Sequence, residues 1–244
     1  MSLQNPYLEK YRPQFDSVYG WCDEYLFDTI DLLSSQSINQ KGGIAEIGIQ
    51  DGKFFILLNQ TVDPEYNSYA IDVFENQNLN IDKSGGGRID YFKNNLQLVD
   101  RHHGNNTIII SGDSTDSALK LDRVIESGSI KFFSIDGGHT PTHAMNDLLI
   151  ASKAISNEGV VILDDILNHW HTGVLEGWVN FNSRNPSLVP FAMGHNKLYL
   201  CKISYHAFYL NLMNTINLNG PHSISKFFGW DIVKWRYWGN TMSW

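Results

Sequence analysis

The chain has 244 residues, 42% of them hydrophobic and 18% charged, which suits one α/β domain able to bury a sizeable core. A formal net charge of -8 and a pI near 5.5 lack the basic footprint of a nucleic-acid reader or a polybasic membrane-surface protein. Cys22 and Cys201 form no metal-binding spacing and read as buried thiols of a reducing compartment, while the N-terminal "MSLQNPYLEKYRPQF" has no apolar run. The expectation is a cytoplasmic protein with no membrane or nucleic-acid partner.

Residues 14–35 look helical and belong to an N-terminal extension, 1–40. From there to 204 a single pattern recurs. Short apolar runs, "GIAEIG" (43–48), "SYAIDVF" (68–74), "TIIISGD" (107–113), "IKFFSID" (130–136) and "GVVILDD" (159–165), alternate with helical stretches at 52–60, 88–102, 114–127 and 141–156. The runs are continuous rather than alternating, as in parallel strands covered on both faces. Strand–helix alternation of this kind makes a doubly wound α/β sheet. The helix at 141–156 is punctuated by Thr140 as cap, Pro141 at its first position and Gly159 beyond its end.

After a helix at about 171–183, "SLVPFAMG" (187–194) and "KLYLCKI" (197–203) are too close for a parallel connection. They predict a C-terminal antiparallel hairpin closing a mostly parallel, seven-stranded sheet. Residues 205–244 read as a helical, aromatic-rich extension; Phe227, Phe228, Trp230, Trp235, Tyr237, Trp238 and Trp244 either pack on the core, form a homo-oligomer interface or wall an acceptor pocket.

Every predicted strand ends in acid: Glu46, Asp72, Asp113, Asp136, and the pair Asp164 and Asp165. Ligands of open α/β sheets bind at that edge. Like charges gathered there repel unless something offsets them. The first turn, "EIGIQDGKF", has Gly48 and Gly52 but no third glycine, and Asp51 stands in the loop. That is a poor pyrophosphate cradle and a better host for an ammonium group. Asp72 stands where a carboxylate accepts ribose hydroxyls. Ribose plus amino acid without phosphate points to S-adenosylmethionine.

The segments "GGIAEIGIQDGKF", "AIDVFENQNLNIDKSGGG", "SGDSTD", "FFSIDGGHTPTHAMNDL", "GVVILDDI" and "LVPFAMGHNKLYL" together resemble the class I S-adenosylmethionine-dependent methyltransferases, and within them the macrocin-type O-methyltransferase branch. The resemblance covers about 42–200, the catalytic domain 41–204. It implies that Glu46, Gly48, Ile49, Gln50, Asp51 and Gly52 hold the methionine part of the cofactor. Asp72 would hold the ribose, Asp113 with Ser114 would lie near the adenine, and Asp136 would also border the cofactor.

Strands ending in Asp136 and in Asp164–Asp165 should be neighbours, about 4.8 Å apart, so the three carboxylates converge. All-oxygen ligation suits Mg²⁺ or Ca²⁺, with Mg²⁺ favoured where waters and substrate complete an octahedron. The resemblance also implies a divalent ion there. His139, three residues beyond Asp136, is the candidate general base; His169 and His171 are second candidates. The expected reaction is Mg²⁺-assisted O-methyl transfer to a small hydroxylated acceptor such as a sugar or a glycosylated metabolite. The alternatives are an NAD- or nucleotide-sugar-binding Rossmann enzyme, disfavoured by the missing glycine, and a non-catalytic cofactor-binding module. The polar stretch "ENQNLNIDKSGGGRID" (75–90), with three consecutive glycines, predicts a lid over cofactor and acceptor.

Overall fold

A computed structural model describes residues 3–35, 41–215 and 222–235. Five parallel strands, β1 (Gly43–Ile47), β2 (Ser68–Asp72), β3 (Thr107–Ser111), β4 (Ile130–Ile135) and β5 (Ile155–Leu163), form one half of the sheet. The connecting helices are α3 (Lys53–Asn59), α4 (Ile89–Val99), α5 (Leu121–Val124) and α6 (Pro141–Ala154), preceded by α1 (Pro6–Tyr11) and α2 (Leu26–Ser35). Helix α7 (Thr172–Arg184) leads into β6 (Leu188–Gly194) and β7 (Lys197–Lys202), then α8 (His206–Asn214), β8 (His222–Phe227) and β9 (Trp230–Trp235). The strand order is β3-β2-β1-β4-β5-β7-β6-β9-β8. The fold is therefore the mostly parallel α/β sheet with antiparallel C-terminal strands that the alternating pattern implies.

Side chains alternate between two cores. Ile44, Phe132, Val160, Ile162, Tyr199 and Cys201 face a layer containing Phe27, Phe55, Phe92 and Tyr209. Ala45, Ile47, Phe133, Ile135, Val161 and Leu163 face the layer of Leu148, Ala151, Trp178 and Phe181. Helices thus cover both faces. Each fully buried Ile, Leu or Phe contributes about 1.5–3 kcal/mol, which is why these runs read as continuously apolar. Both cysteines are free, and among the described residues no helix is long and apolar enough to cross a membrane.

Local chemistry explains where the structure departs from the sequence reading. The stretch 114–127 is not one helix but a 3-10 turn, Ser117–Leu119, and the short α5. Asp113 and Asp116 take the backbone N–H groups of Thr115 and Ala118 on their own side chains, and Lys120 adopts a left-handed φ of 49°. Such local bonds compete with the helical ladder. Thr140 and Pro141 do open α6, but it ends at Ala154 and β5 begins at Ile155. Gly159 instead sits at a shift of the β4–β5 register, where a Cβ would press on Ile155 and the Ile130 carbonyl.

The β6–β7 hairpin turns on His195 and Asn196, both left-handed at φ 53° and 62°, the two-residue geometry that matches strand twist. The largest revision concerns the C-terminus. Among the described residues of the expected helical extension only His206–Asn214 is α-helix; 222–235 forms a β8–β9 hairpin that pairs with β6 through β9 and raises the sheet from seven strands to nine. Of its described aromatics Trp235 is buried, Phe227 and Trp230 are half-buried and Phe228 is exposed. Trp235 lies against Tyr199 with ring centroids 5.5 Å apart, Trp230 against His206, and Phe228 against Trp178. Tyr237, Trp238 and Trp244 lie outside the described residues. A Cβ added at Gly194 would enter the Trp235 ring. Gly194→Ala is therefore expected to cost about 1–3 kcal/mol by overpacking, read as a lowered urea midpoint at unchanged slope.

Candidate active site

The order β3-β2-β1-β4-β5 reverses direction between β1 and β4, and ligands of open sheets bind at such a switch point. The turns there leave the sheet at one level: Gly48 N–H donates to Ile71 O at 2.8 Å, Asp136 N–H to Ile47 O at 2.8 Å and Asp164 N–H to Ile135 O at 3.0 Å. Gly48 has φ 84°, and a Cβ on it would fall on the Asp136 carbonyl. Only glycine fits that crossing.

The β1–α3 turn is wrapped onto β2. Asp72 Oδ2 accepts the N–H groups of Ile49 at 2.8 Å and Gln50 at 2.9 Å, and Oδ1 accepts that of Phe74 at 2.7 Å. Burial raises the Asp72 pKa against these three bonds. Two bonds fill Oδ2, whereas Oδ1 keeps a lone pair for one further hydroxyl.

A cleft opens over this edge. Of the predicted cofactor residues, Gly48, Gln50, Asp72, Asp113, Ser114 and Asp136 line it. Glu46, Ile49, Asp51 and Gly52 do not. Ile49 belongs to the apolar core, and Gly52 makes room for Phe92. Asp51 is buried in an ion pair with Arg88. Glu46 is also buried; its Oε1 accepts from Ser134 Oγ at 2.9 Å, and Oε2 has no partner. Burial pushes its pKa well above the usual carboxylate range.

The acidic strand ends separate into two groups. Asp136, His139 and Asp165 present ligand atoms within 4.8 Å of one another, as do Asp82, His139 and His171. His139 Nε2 lies 3.1 Å from Asp165 Oδ2 and 3.6 Å from Asp136 Oδ1, and the His171 ring stacks on His139 at 3.8 Å. Burial would lower the His139 pKa, but hydrogen bonds and charges from Asp136, Asp165 and Asp82 outweigh it and raise it to about 10. Asp165, against the effect of burial, is held down at about 2 by His139 and Asn168. His169 belongs to neither group; its ring lies 5.0 Å from that of Trp170, tilted by 42°.

Asp164 corrects the expected carboxylate triad. Its Oδ2 forms a buried ion pair with Lys197 Nζ, and its Oδ1 accepts the Asp165 N–H. Antiparallel pairing of Leu163 with Leu198 brings the two residues side by side. Burial alone would lower the Lys197 pKa, but Asp164 and Asp136 raise it above the ordinary lysine value, so the ammonium stays charged.

Several site residues escaped the sequence reading. His143 Nε2 pairs with Asp113 Oδ1 at 3.2 Å, and Asp147 is wholly buried beside Gly137 with an unpartnered Oδ2 and a pKa raised by burial to about 6. From the N-terminal segment Trp21, 73% exposed, joins the cleft wall. Asp82, Ser84 and Gly85 to Gly87 come from the glycine-rich loop. His143 and Asp147 share the i, i+4 face of α6 that begins with the Thr140 cap, the one signal that could have found them.

A methyltransferase-domain family model matches residues 45–166, half of the 244-residue chain. The chain belongs to this family and is a class I S-adenosylmethionine-dependent methyltransferase. A candidate O-methyltransferase from Klebsiella pneumoniae shares its fold with a TM-score of 0.57 at 15% identity, over 80% of this chain and 88% of the other. An O-methyltransferase from Bacillus cereus, in complex with S-adenosylhomocysteine, superposes with a TM-score of 0.55 at 13% identity over 81% and 90% of the two chains. The MycE methyltransferase of mycinamycin biosynthesis, in complex with Mg, S-adenosylhomocysteine and mycinamycin VI, gives 0.51 at 14% identity over 82% and 56%. Comparison with curated proteins finds no match.

Two outcomes follow from the charges. Lys197→Met leaves Asp164 buried without its cation and is expected to cost about 3–5 kcal/mol; adding Asp164→Asn should recover most of it in urea unfolding. His139 has a folded pKa of about 10 against an unfolded value near 6.5. Its stabilisation is therefore complete below about pH 6.5 and is lost as pH rises towards 10. In chelating buffer, wild-type stability should fall across that window, and His139→Gln should flatten the decline.

Proposed function

We propose that this methyltransferase moves the methyl group of S-adenosylmethionine to a hydroxyl oxygen of a small acceptor, with Mg²⁺ at Asp136 and Asp165 and His139 as general base. The observation that carries the reading is His139 Nε2, set between Asp136 and Asp165 at 3.6 and 3.1 Å in the wall of the cleft.

The residues present fit the cofactor. Asp72 Oδ1 retains room for a ribose hydroxyl, and Gly48 and Gln50 of the first turn line the cleft beside it. Asp113 and Ser114 line the part of the cleft assigned to the adenine. The cofactor supplies a methyl group already activated on a sulfonium, so the chain's task is alignment. Fit to a hard cation rests on the two carboxylates Asp136 and Asp165, with waters and acceptor oxygen completing the shell; Asp164 is committed to Lys197. When bound, the cation supplies positive charge that favours the ionised acceptor oxygen.

His139 then has a definite task. Without a cation, the carboxylates hold a proton on the imidazole. Once their charge is neutralised, that hold weakens and Nε2 is free to take the acceptor's hydroxyl proton. Exposed Trp21, Leu79 and Ile81 at the mouth offer apolar faces to the acceptor, which suits a sugar ring or glycosylated metabolite. The aligned MycE complex, which holds Mg, S-adenosylhomocysteine and mycinamycin VI, supports a small-molecule acceptor.

Transfer of tritium from labelled S-adenosylmethionine to a panel of hydroxylated metabolites tests the proposal. The expected result is incorporation into one acceptor class, lost in EDTA, reduced about 10²- to 10⁴-fold by His139→Ala, and lowered by Asp136→Ala as by EDTA. Full transfer by both variants, unchanged in EDTA, would sink the metal-and-base mechanism.

A further inference from the structure

The loop between β2 and α4 reaches the catalytic imidazole from 57 residues away in sequence. Asp82 Oδ2 accepts the backbone N–H of His139 at 3.0 Å and lies 2.5 Å from its Nδ1. The other oxygen, Oδ1, accepts the N–H of Ser84 at 3.0 Å and its hydroxyl at 2.8 Å, and that hydroxyl lies 3.2 Å from His139 Nδ1. One face of the ring is covered by His171 at 3.8 Å. Nε2 is the ring atom that faces Asp136 and Asp165, at 3.6 and 3.1 Å.

We propose that Asp82 is the positioning residue for His139, so that closing the 75–88 loop and aiming Nε2 at the acceptor are one event. A carboxylate on Nδ1 fixes which ring nitrogen carries the proton and which way the ring is turned, as partners of ligand and catalytic histidines do elsewhere. Its simultaneous bond to the His139 backbone N–H ties the loop to the main chain of the site as well as to the ring. Charge-assisted bonds of this kind are about twice as strong as neutral ones.

The loop is built to swing on this latch. Its far end is anchored by Arg88 on Asp51 and by Glu75 Oε1, which accepts the Ile89 N–H at 2.8 Å. Between latch and anchor stand Gly85, Gly86 and Gly87. Gly85 is left-handed at φ 64°, Gly86 has open space around its Cα, and Gly87 packs against Asp72 where a Cβ would come within 2.9 Å of Oδ1. The same loop therefore touches the proposed ribose carboxylate and the proposed base.

This inference rests on His139 serving methyl transfer, but its test needs neither cofactor nor acceptor. Trypsin cleavage after Lys83 reads loop opening in the full chain, and ¹⁵N-imidazole spectra read the His139 tautomer. Asp82→Asn should speed cleavage about 10- to 100-fold, the worth of one charged hydrogen bond, and move the His139 ring resonances, with the thermal midpoint little changed. His139→Asn, which keeps the backbone bond to Asp82, should give a smaller acceleration, the double variant no more than Asp82→Asn alone, and Asp82→Glu a partial return. Unchanged spectra and cleavage in Asp82→Asn, or accelerations that multiply in the double variant, would overturn the coupling. The underlying reading fails separately, if the wild-type chain takes up no S-adenosylhomocysteine in calorimetry.

Discussion

Carboxylates crowd the C-terminal edge of the parallel sheet, and most are held by a donor or cation. Asp72 is held by three backbone N–H groups, Asp113 by His143, Asp51 by Arg88 and Asp164 by Lys197. Asp136 and Asp165 share His139. Unpaired, such a row would raise its members' pKa values and destabilise the edge. Paired, it divides by partner: Asp51 and Asp164 are held by side chains that carry a permanent charge, Arg88 and Lys197, whereas Asp136 and Asp165 face an imidazole.

Lys197 shows how the C-terminal strands shape the chemistry. A parallel strand beside β5 would leave Asp164 free to join its neighbours. The antiparallel β7 delivers an ammonium to the same level of the sheet, next to Phe54 at 4.8 Å. The added β8–β9 hairpin, with Trp235 packed on Gly194 and Tyr199, buttresses the β6–β7 turn from which Lys197 projects. An element far from the cleft thereby helps decide which carboxylates line it.

Much of the fold was legible because its cause is local. Continuous apolar runs need cover on both faces, and a two-residue gap between runs allows only a hairpin. Thr140–Pro141 announced α6 by cap chemistry, and Gly48 marked the turn that follows the first strand. The failures share a different cause. Side chains of Asp113 and Asp116 captured the N–H groups a helix would have used. The alternating polar residues of "HSISKF" (222–227), crowded by aromatics, masked an edge strand whose partner is β9.

The sequence by itself determined the parallel α/β sheet, the acidic edge, the glycine turn at 48 and the strand end Asp136 with His139 beyond it, because each follows from periodicity or from neighbours a few residues apart. Tertiary structure alone decided which acids face one another. Asp164 and Lys197 are 33 residues apart, Asp82 and His139 are 57, and Asp51 meets Arg88 across the first turn and the loop. Side-chain direction at a strand end depends on the register of the next strand and on the nearest opposite charge, and neither is written in the local pattern.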